Sequence, residues 1–467
     1  MNVFRCETVV LALVMPLVGM ALDPPSRSPL ALKSSDPALE RGFLRLKGEA
    51  LGFVFGDAPV GPYCEASLPG RQAFCMRDIS HQAVGAEVLG FSSANLNMLR
   101  AFVRNIAASR RFCTYWEIDR EGRPCKADYR DDTCFWYNLP ANFDVIDACR
   151  RLWRFTGEKA YVEDPEFVKF RDLSFGEYVR AWATTGDGIP DRPVGCRHGM
   201  GLASYDEGAF ESKLRNGSDL VIIMATALAG EGRTQEADRL RTVLKTQFRT
   251  ANGRLASGLG FDGKPLTNPQ EPVIGKELLY RRFATAAEAG PYLDELERNM
   301  ERQNVEWFSH TPETLWAYGR RTAAMRALAR AMDPELKRRT YPELSFGTIG
   351  AVATGLMGIE PDAQAGRIAT LCGLPDGDVR RIALESAHMM GGTIGVTHDG
   401  GRQTTFANAV GKPVVWRARF RGAVRDIRID GRSLAVRTET LMPSGEKVSF
   451  ADVTVASGTH MTAVAVR

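Results

Sequence analysis

Histidine is scarce in this chain, with six among 467 residues. No HxxxH or CxxC spacing occurs, so the usual ligand pairs of a zinc site are missing and no metal is expected. An excess of one charge is missing too: 60 Lys and Arg face 56 Asp and Glu, a net charge of +4. No long Lys/Arg run stands out, which argues against a nucleic-acid partner. Beyond residue 22 no stretch is apolar enough to cross a bilayer, so no stable membrane insertion is expected of the mature chain.

What is present reads as an ordinary globular protein, 44% hydrophobic and 25% charged. The length exceeds what one core commonly supports. At the N-terminus Arg5 precedes an apolar run from Val9 to Leu22, with Gly19 and Ala21 at cleavage spacing. Residues 1–22 therefore read as a secretory signal peptide, and the chain as exported to the periplasm or the exterior. Nine cysteines are present, Cys6 inside this leader. Export permits disulfides among the others, but spacing does not fix their pairing.

Helical periodicity dominates to about residue 360. One example is the apolar series Val145, Ile146, Cys149, Leu152, Trp153 and Phe155. Eleven or twelve helices are expected, among them Pro37–Gly52, His81–Leu89, Asn142–Thr156, Pro312–Ala331 and Thr348–Gly358, joined by alternating short and long connections. Gly157, Gly186 and Gly230 mark C-terminal ends. Near residue 390 the period changes to alternation, with turns at Asp399-Gly400-Gly401, Asp430-Gly431 and Ser444-Gly445. The fold class expected is mainly α: an (α/α)6 toroid over residues 23–365, then a linker and a small C-terminal all-β, sandwich-like domain over 366–467.

The long connections carry the chemistry. Met76-Arg77-Asp78-Ile79-Ser80-His81 sets a cation, an acid and an imidazole at the start of a helix. Tyr115-Trp116-Glu117-Ile118-Asp119 and Phe135-Trp136-Tyr137-Asn138, followed by Asn142-Phe143-Asp144, mix rings with carboxylates and amides. Rings cover the apolar faces of sugars, and carboxylates hold hydroxyls and move protons. A second reading stands beside the first at each place. Asp78 caps its helix and His81 packs in the core; Trp116 wedges inward beside solvated charges; Asn142 and Asp144 cap the next helix. Asp187 and Asp191 lie in a turn-rich loop without the downstream acid of an EF-hand, so no Ca²⁺ site is assigned. Glu277 and Arg281 read as an i,i+4 pair on a helix surface, and Glu313 as a first-turn acid.

Taken in order, these motifs and Tyr341-Pro342-Glu343-Leu344-Ser345-Phe346-Gly347, with Gly391-Gly392-Thr393-Ile394-Gly395-Val396 after them, resemble the six-hairpin glycosidases. The nearest branch is the exo-β-glucuronidase-like one. The resemblance covers most of the mature chain. It implies hydrolysis of a glycosidic bond in an oligo- or polysaccharide by a general acid and a general base, exo-acting and inverting, on a uronic acid terminus. It implies a carbohydrate partner and no cofactor; it leaves the oligomeric state open. The catalytic candidates are Glu117, Asp119, Asp187, Glu207 and Glu343, with Glu117 first as acid and Glu343 first as base. Arg77, Asp78, His81, Trp116, Arg130, Tyr137, Asn138, Asn142 and Arg192 are the substrate-binding candidates, the arginines as clamps for a uronate. Two rivals remain: a polysaccharide lyase using Tyr137 or His81 as base with Arg130, and a non-catalytic glycan-binding protein.

Overall fold

The computed structural model describes residues 28–193, 200–202 and 209–466. The proposed leader, Glu207, Cys6 and Cys196 lie outside them. Of the fifteen α-helices among the described residues, twelve alternate between an outer and an inner layer. The outer ones are α1 (Pro37–Leu51), α3 (Ser92–Arg104), α5 (Pro165–Leu173), α7 (Thr234–Thr246), α9 (Ala286–Arg298) and α11 (Arg321–Ala331). The inner ones are α2 (Met76–Leu89), α4 (Ala141–Thr156), α6 (Ser218–Gly230), α8 (Lys276–Tyr280), α10 (Thr311–Ala317) and α12 (Pro342–Ala351). Each inner helix touches the next, and α12 closes the ring against α2.

Composition explains the layering. On α1 the buried positions Leu39, Gly42, Phe43, Leu46 and Ala50 form one stripe, so the helix has a wet face and belongs outside. On α6 the run Leu220–Ala225 is buried without a break, and α2 is buried at 13 of its 14 positions. Helices buried all round need neighbours all round. The close is tight where α2 meets α12: a Cβ on Gly85 would stand 1.8 Å from the Phe346 carbonyl oxygen. Only glycine permits this approach, and it brings the start of α2 beside the start of α12.

Inner-to-outer connections are short; Gly90 and Phe91 alone join α2 to α3. Outer-to-inner connections are longer. Residues 52–75 and 105–140 lead into α2 and α4, and both contain short strands. The long connections therefore all gather at one end of the ring, where the inner helices begin. The observed elements also shift from expectation. Helix α2 starts at Met76 rather than His81, α12 at Pro342 rather than Thr348, and the stretch 312–331 breaks into α10 and α11 at Tyr318–Arg320.

The C-terminal part is a pair of sheets, seven-stranded and five-stranded. In Val414–Arg421 the residues Val414, Trp416, Ala418 and Phe420 turn inward and alternate with half-exposed ones. Trp416 stacks on Phe406 of the other sheet at 5.4 Å. Asp430 and Gly431, both at positive φ, make the expected tight hairpin. The sheets recruit chain from both sides of the expected boundary at 365. Glu360–Asp362 is an edge strand of the smaller sheet, and Ala31–Ser34 pairs antiparallel with Arg381–Met389 of the larger. The seven described cysteines are free thiols. Among the described residues no helix is long and apolar enough to cross a membrane.

Candidate active site

Because the six inner helices run the same way, their N-terminal ends meet at one mouth. Each brings polar residues in or just before its first turns: Arg77 and Asp78 on α2, Asp144 on α4, Asp219 on α6, Lys276 and Glu277 on α8, His310 before α10, and Glu343 on α12. The positive end of a helix dipole favours carboxylates there. Almost all of these side chains are buried, among them Arg77, Asp78, His81, Asp144, Glu277, His310 and Glu343.

At the centre lies a continuous chain of contacts. Arg281 pairs with Asp144, with Asp147 at 2.6 Å and with Glu277 at 3.0 Å. Its remaining guanidinium N–H reaches His81 Nε2 at 3.3 Å. An arginine only donates, so Nε2 is the acceptor nitrogen and the ring proton sits on Nδ1. Nδ1 then donates to Glu343 Oε1 at 2.8 Å. His310 Nε2 stands 3.2 Å from the same oxygen. The two imidazoles meet edge-on at 4.3 Å, and Tyr280 stacks on His310 at 4.4 Å. Burial keeps both histidines neutral, pushing His81 well down and His310 down to about 3.

The carboxyls divide by environment. Asp78 is pushed up to about 8 by burial, against the pull of Arg77, which holds it at 2.9 Å; Glu343 and Glu306 nearby push the same way as burial. Asp144 is pushed up to about 7 by burial in spite of Arg281. Beyond them Lys276 lies 3.3 Å over the Trp307 ring, and burial draws it down to about 8 despite Glu271 and Asp219. Two half-exposed indoles stand at the rim. Trp116 has the Arg77 guanidinium over its ring at 5.8 Å, and Trp307 follows Glu306, which lies 4.0 Å from the same arginine.

The sequence candidates fall into three groups. Arg77, Asp78, His81 and Glu343 come together at the mouth, with Trp116 at its rim. Glu117 lies one step behind them: its strand pairs with Ala73–Cys75 just before α2, and it is buried against Arg71 at 2.6 Å. Asp119, on the same strand, accepts from the backbone N–H of Glu121 and Arg123 and so forms a turn.

The rest stand elsewhere. Tyr137 and Asn142 are hydrogen-bonded to each other in the wall, Asn142 also donating to the Phe112 carbonyl at 3.2 Å. Asn138 is buried on a two-residue strand beside Met200–Gly201. Asp187 accepts from Ile189 N–H at 2.9 Å in its own loop, and the Arg192 side chain donates to the Met200 carbonyl. Arg130 is exposed and paired with Asp131. Glu207 falls outside the described residues.

One reading is corrected. Glu277 and Arg281 do pair at i,i+4, but both are buried at the centre of the site rather than on a helix surface. His310, Tyr280, Lys276, Glu306 and Trp307 also belong here and were not singled out. The first three carried no local pattern. Trp307 next to Glu306 repeats the aromatic–acid pairing of Trp116 and Glu117 and was findable.

No family model matches the sequence, and no curated protein matches it. Among solved structures the chain is similar to an α-L-rhamnosidase from Dictyoglumus thermophilum, with a TM-score of 0.56 and 12% identity over 94% of this chain and 50% of that one. It is similar to a GH78 family rhamnosidase from Bacillus sp. GL1, with a TM-score of 0.58 and 11% identity over 83% of this chain and 41% of that one. It is also similar to a protein from the human microbiome described as a kojibiose phosphorylase, with a TM-score of 0.59 and 7% identity over 93% and 68%. The chain thus spans half or less of the length of the two rhamnosidases. At these identities the likeness is one of fold alone: a ring of paired helices, an (α/α)6 toroid.

Proposed function

We propose that this protein hydrolyses a glycosidic bond at the mouth of the ring. One observation carries the reading: two buried carboxyl groups with different partners, Asp78 on Arg77 and Glu343 on His81, stand at the adjoining starts of α2 and α12. Asp78 is held protonated near neutral pH, as a proton donor to a leaving oxygen must be. Glu343 accepts from the His81 ring N–H, as a carboxylate that activates water must be able to do. Trp116 and Trp307 at the rim offer indole faces to sugar rings. Asp78 takes the acid's role here in place of Glu117, which Arg71 engages behind the mouth.

The finer reading is exo-action with inversion on a terminal uronide. The packed inner helices close the floor beneath the mouth, which suits the end of a glycan chain. Arg77 and Lys276 flank it, and a uronate carboxylate needs such cations. Elimination is the weaker reading. Tyr137, its candidate base, is buried in the wall, bonded to Asn142 and pushed well above the ordinary phenol range by burial.

The test is a panel of nitrophenyl glycosides and glucuronides with the product followed by NMR and ultraviolet absorbance. A free sugar of inverted anomer is the expected product. An unsaturated uronide would mean a lyase, a rate that depends on added phosphate a phosphorylase, and binding without release a glycan-binding protein.

A further inference from the structure

The opposite end of the ring has a different character. There the C-terminal ends of α4 and α10 and the chain after α12 face the β-sheets across a cleft of about 270 Å³. Six arginines line it, Arg151, Arg154, Arg282, Arg321, Arg419 and Arg421, against three acids, Glu313, Glu360 and Glu446. The ends of the helices account for part of this, since their carbonyls favour cations. They do not account for Arg419 and Arg421, which come from a strand of the β-domain.

Some of these arginines are engaged, Arg419 by Glu360 and Glu439 and Arg151 by Asp147, Tyr280 and the Ser80 carbonyl; others are short of acceptors. Arg321 and Arg421 share two carboxylates. Glu446 lies 2.9 Å from Arg321 and 3.7 Å from Arg421; Asp376 lies 3.4 Å and 2.9 Å from them and is 80% exposed. Arg421 Nε is buried and has no hydrogen-bond partner among the described residues. Burial, helped by Arg321, pushes the Arg421 guanidinium below the ordinary arginine range. At the lip Arg154 and Arg282 are exposed, Arg282 lying 3.6 Å from Glu313. A buried donor without an acceptor is costly to leave unmet. Buried and exposed guanidiniums around one hollow form a frame that planar, bidentate anion recognition fits.

We propose that this cleft is a second binding site, separate from the mouth, for a small oxyanion. Inorganic phosphate and the carboxylate of an acidic sugar both have the required chemistry. The binding would tie the β-domain to the floor of the ring, because the arginines come from both.

The test uses the full chain with sodium phosphate and sodium glucuronate as separate probes, at constant ionic strength against sodium chloride. Thermal shift and calorimetry are read for the wild type, for the double variant Arg154→Ala/Arg282→Ala and for Lys276→Met, which removes a cation of the mouth. The double variant changes exposed residues, and circular dichroism checks that it folds. The expected result is a saturable rise in Tm with at least one probe, an affinity about tenfold weaker in the double variant, and no change in Lys276→Met. A response to one probe only identifies the source of the anion. No saturable response to either probe overturns the site. So does a response that the double variant keeps in full, or one that Lys276→Met abolishes, which would put the anion in the mouth.

Discussion

The two ends of the inner ring are built from the same helices and carry opposite chemistry. The N-terminal end gathers Asp78, Asp144, Asp219, Glu277 and Glu343; the C-terminal end gathers Arg151, Arg154, Arg282 and Arg321 with Arg419 and Arg421 from the β-domain. Helix dipoles favour this sorting at both ends. The difference lies in water. At the mouth the carboxyls are buried deeply enough for Asp78 to keep its proton to about pH 8, while at the floor Arg154 and Arg282 are exposed and the other four arginines only half-buried. Desolvation turns a favourable distribution of charge into acid–base chemistry only where it is nearly complete.

The largest effect should come from the arginine at the centre of the mouth. Arg281→Met leaves Asp144 and Glu277 buried without their cation, and a loss of about 3–5 kcal/mol in urea unfolding is expected. Arg154→Ala at the floor should stay within about 0.5 kcal/mol in the same assay. Equal losses at both ends would erase the contrast.

Next is the proton on Asp78. Asp78→Asn should lower kcat about 10²–10⁴-fold with folding retained, since an amide cannot supply the proton. In the wild type kcat/KM should fall as pH rises through about 8. The same group is linked to stability. Its folded pKa is raised from 3.8 to about 8, so the native state holds a proton that the unfolded chain releases. Stability from this group is full below about pH 4 and is lost as pH rises toward 8; the Asn variant should remove that slope from urea midpoints taken across the window.

A smaller effect is expected at the rim. Trp116→Ala should raise KM about tenfold and leave kcat within about twofold, because the indole serves binding. The smallest belongs to the wall. Tyr137→Phe removes the hydrogen bond to Asn142 and should cost about 1 kcal/mol of stability without changing kcat. A large fall in kcat there would move Tyr137 from the wall into the mouth.

The alternation of helices and the later turn to strands were legible in the sequence, because hydrophobic period reports local burial directly. The cluster Arg77, Asp78 and His81 was legible too, as polar residues set before an apolar helix. Glu277 and Arg281 were not. On a five-residue helix the i,i+4 spacing is the same whether the pair faces water or the core, and no longer period decides between them. His310 is a lone histidine whose partners, Glu343 and His81, are distant in the chain. The pairing of Ala31–Ser34 with Arg381–Met389 spans nearly the whole molecule and has no local signature. Tyr137 and Asn142 show the converse: rings beside amides look like a sugar site, yet these two satisfy each other inside the wall.

The most direct measurement compares the wild type with Glu343→Gln on the glycoside the panel identifies, recording both turnover and sugar binding. The account predicts that the variant binds the sugar with unchanged affinity and folds normally, while kcat falls about 10³-fold or more. Turnover within a few-fold of the wild type would contradict it and place the chemistry away from the start of α12.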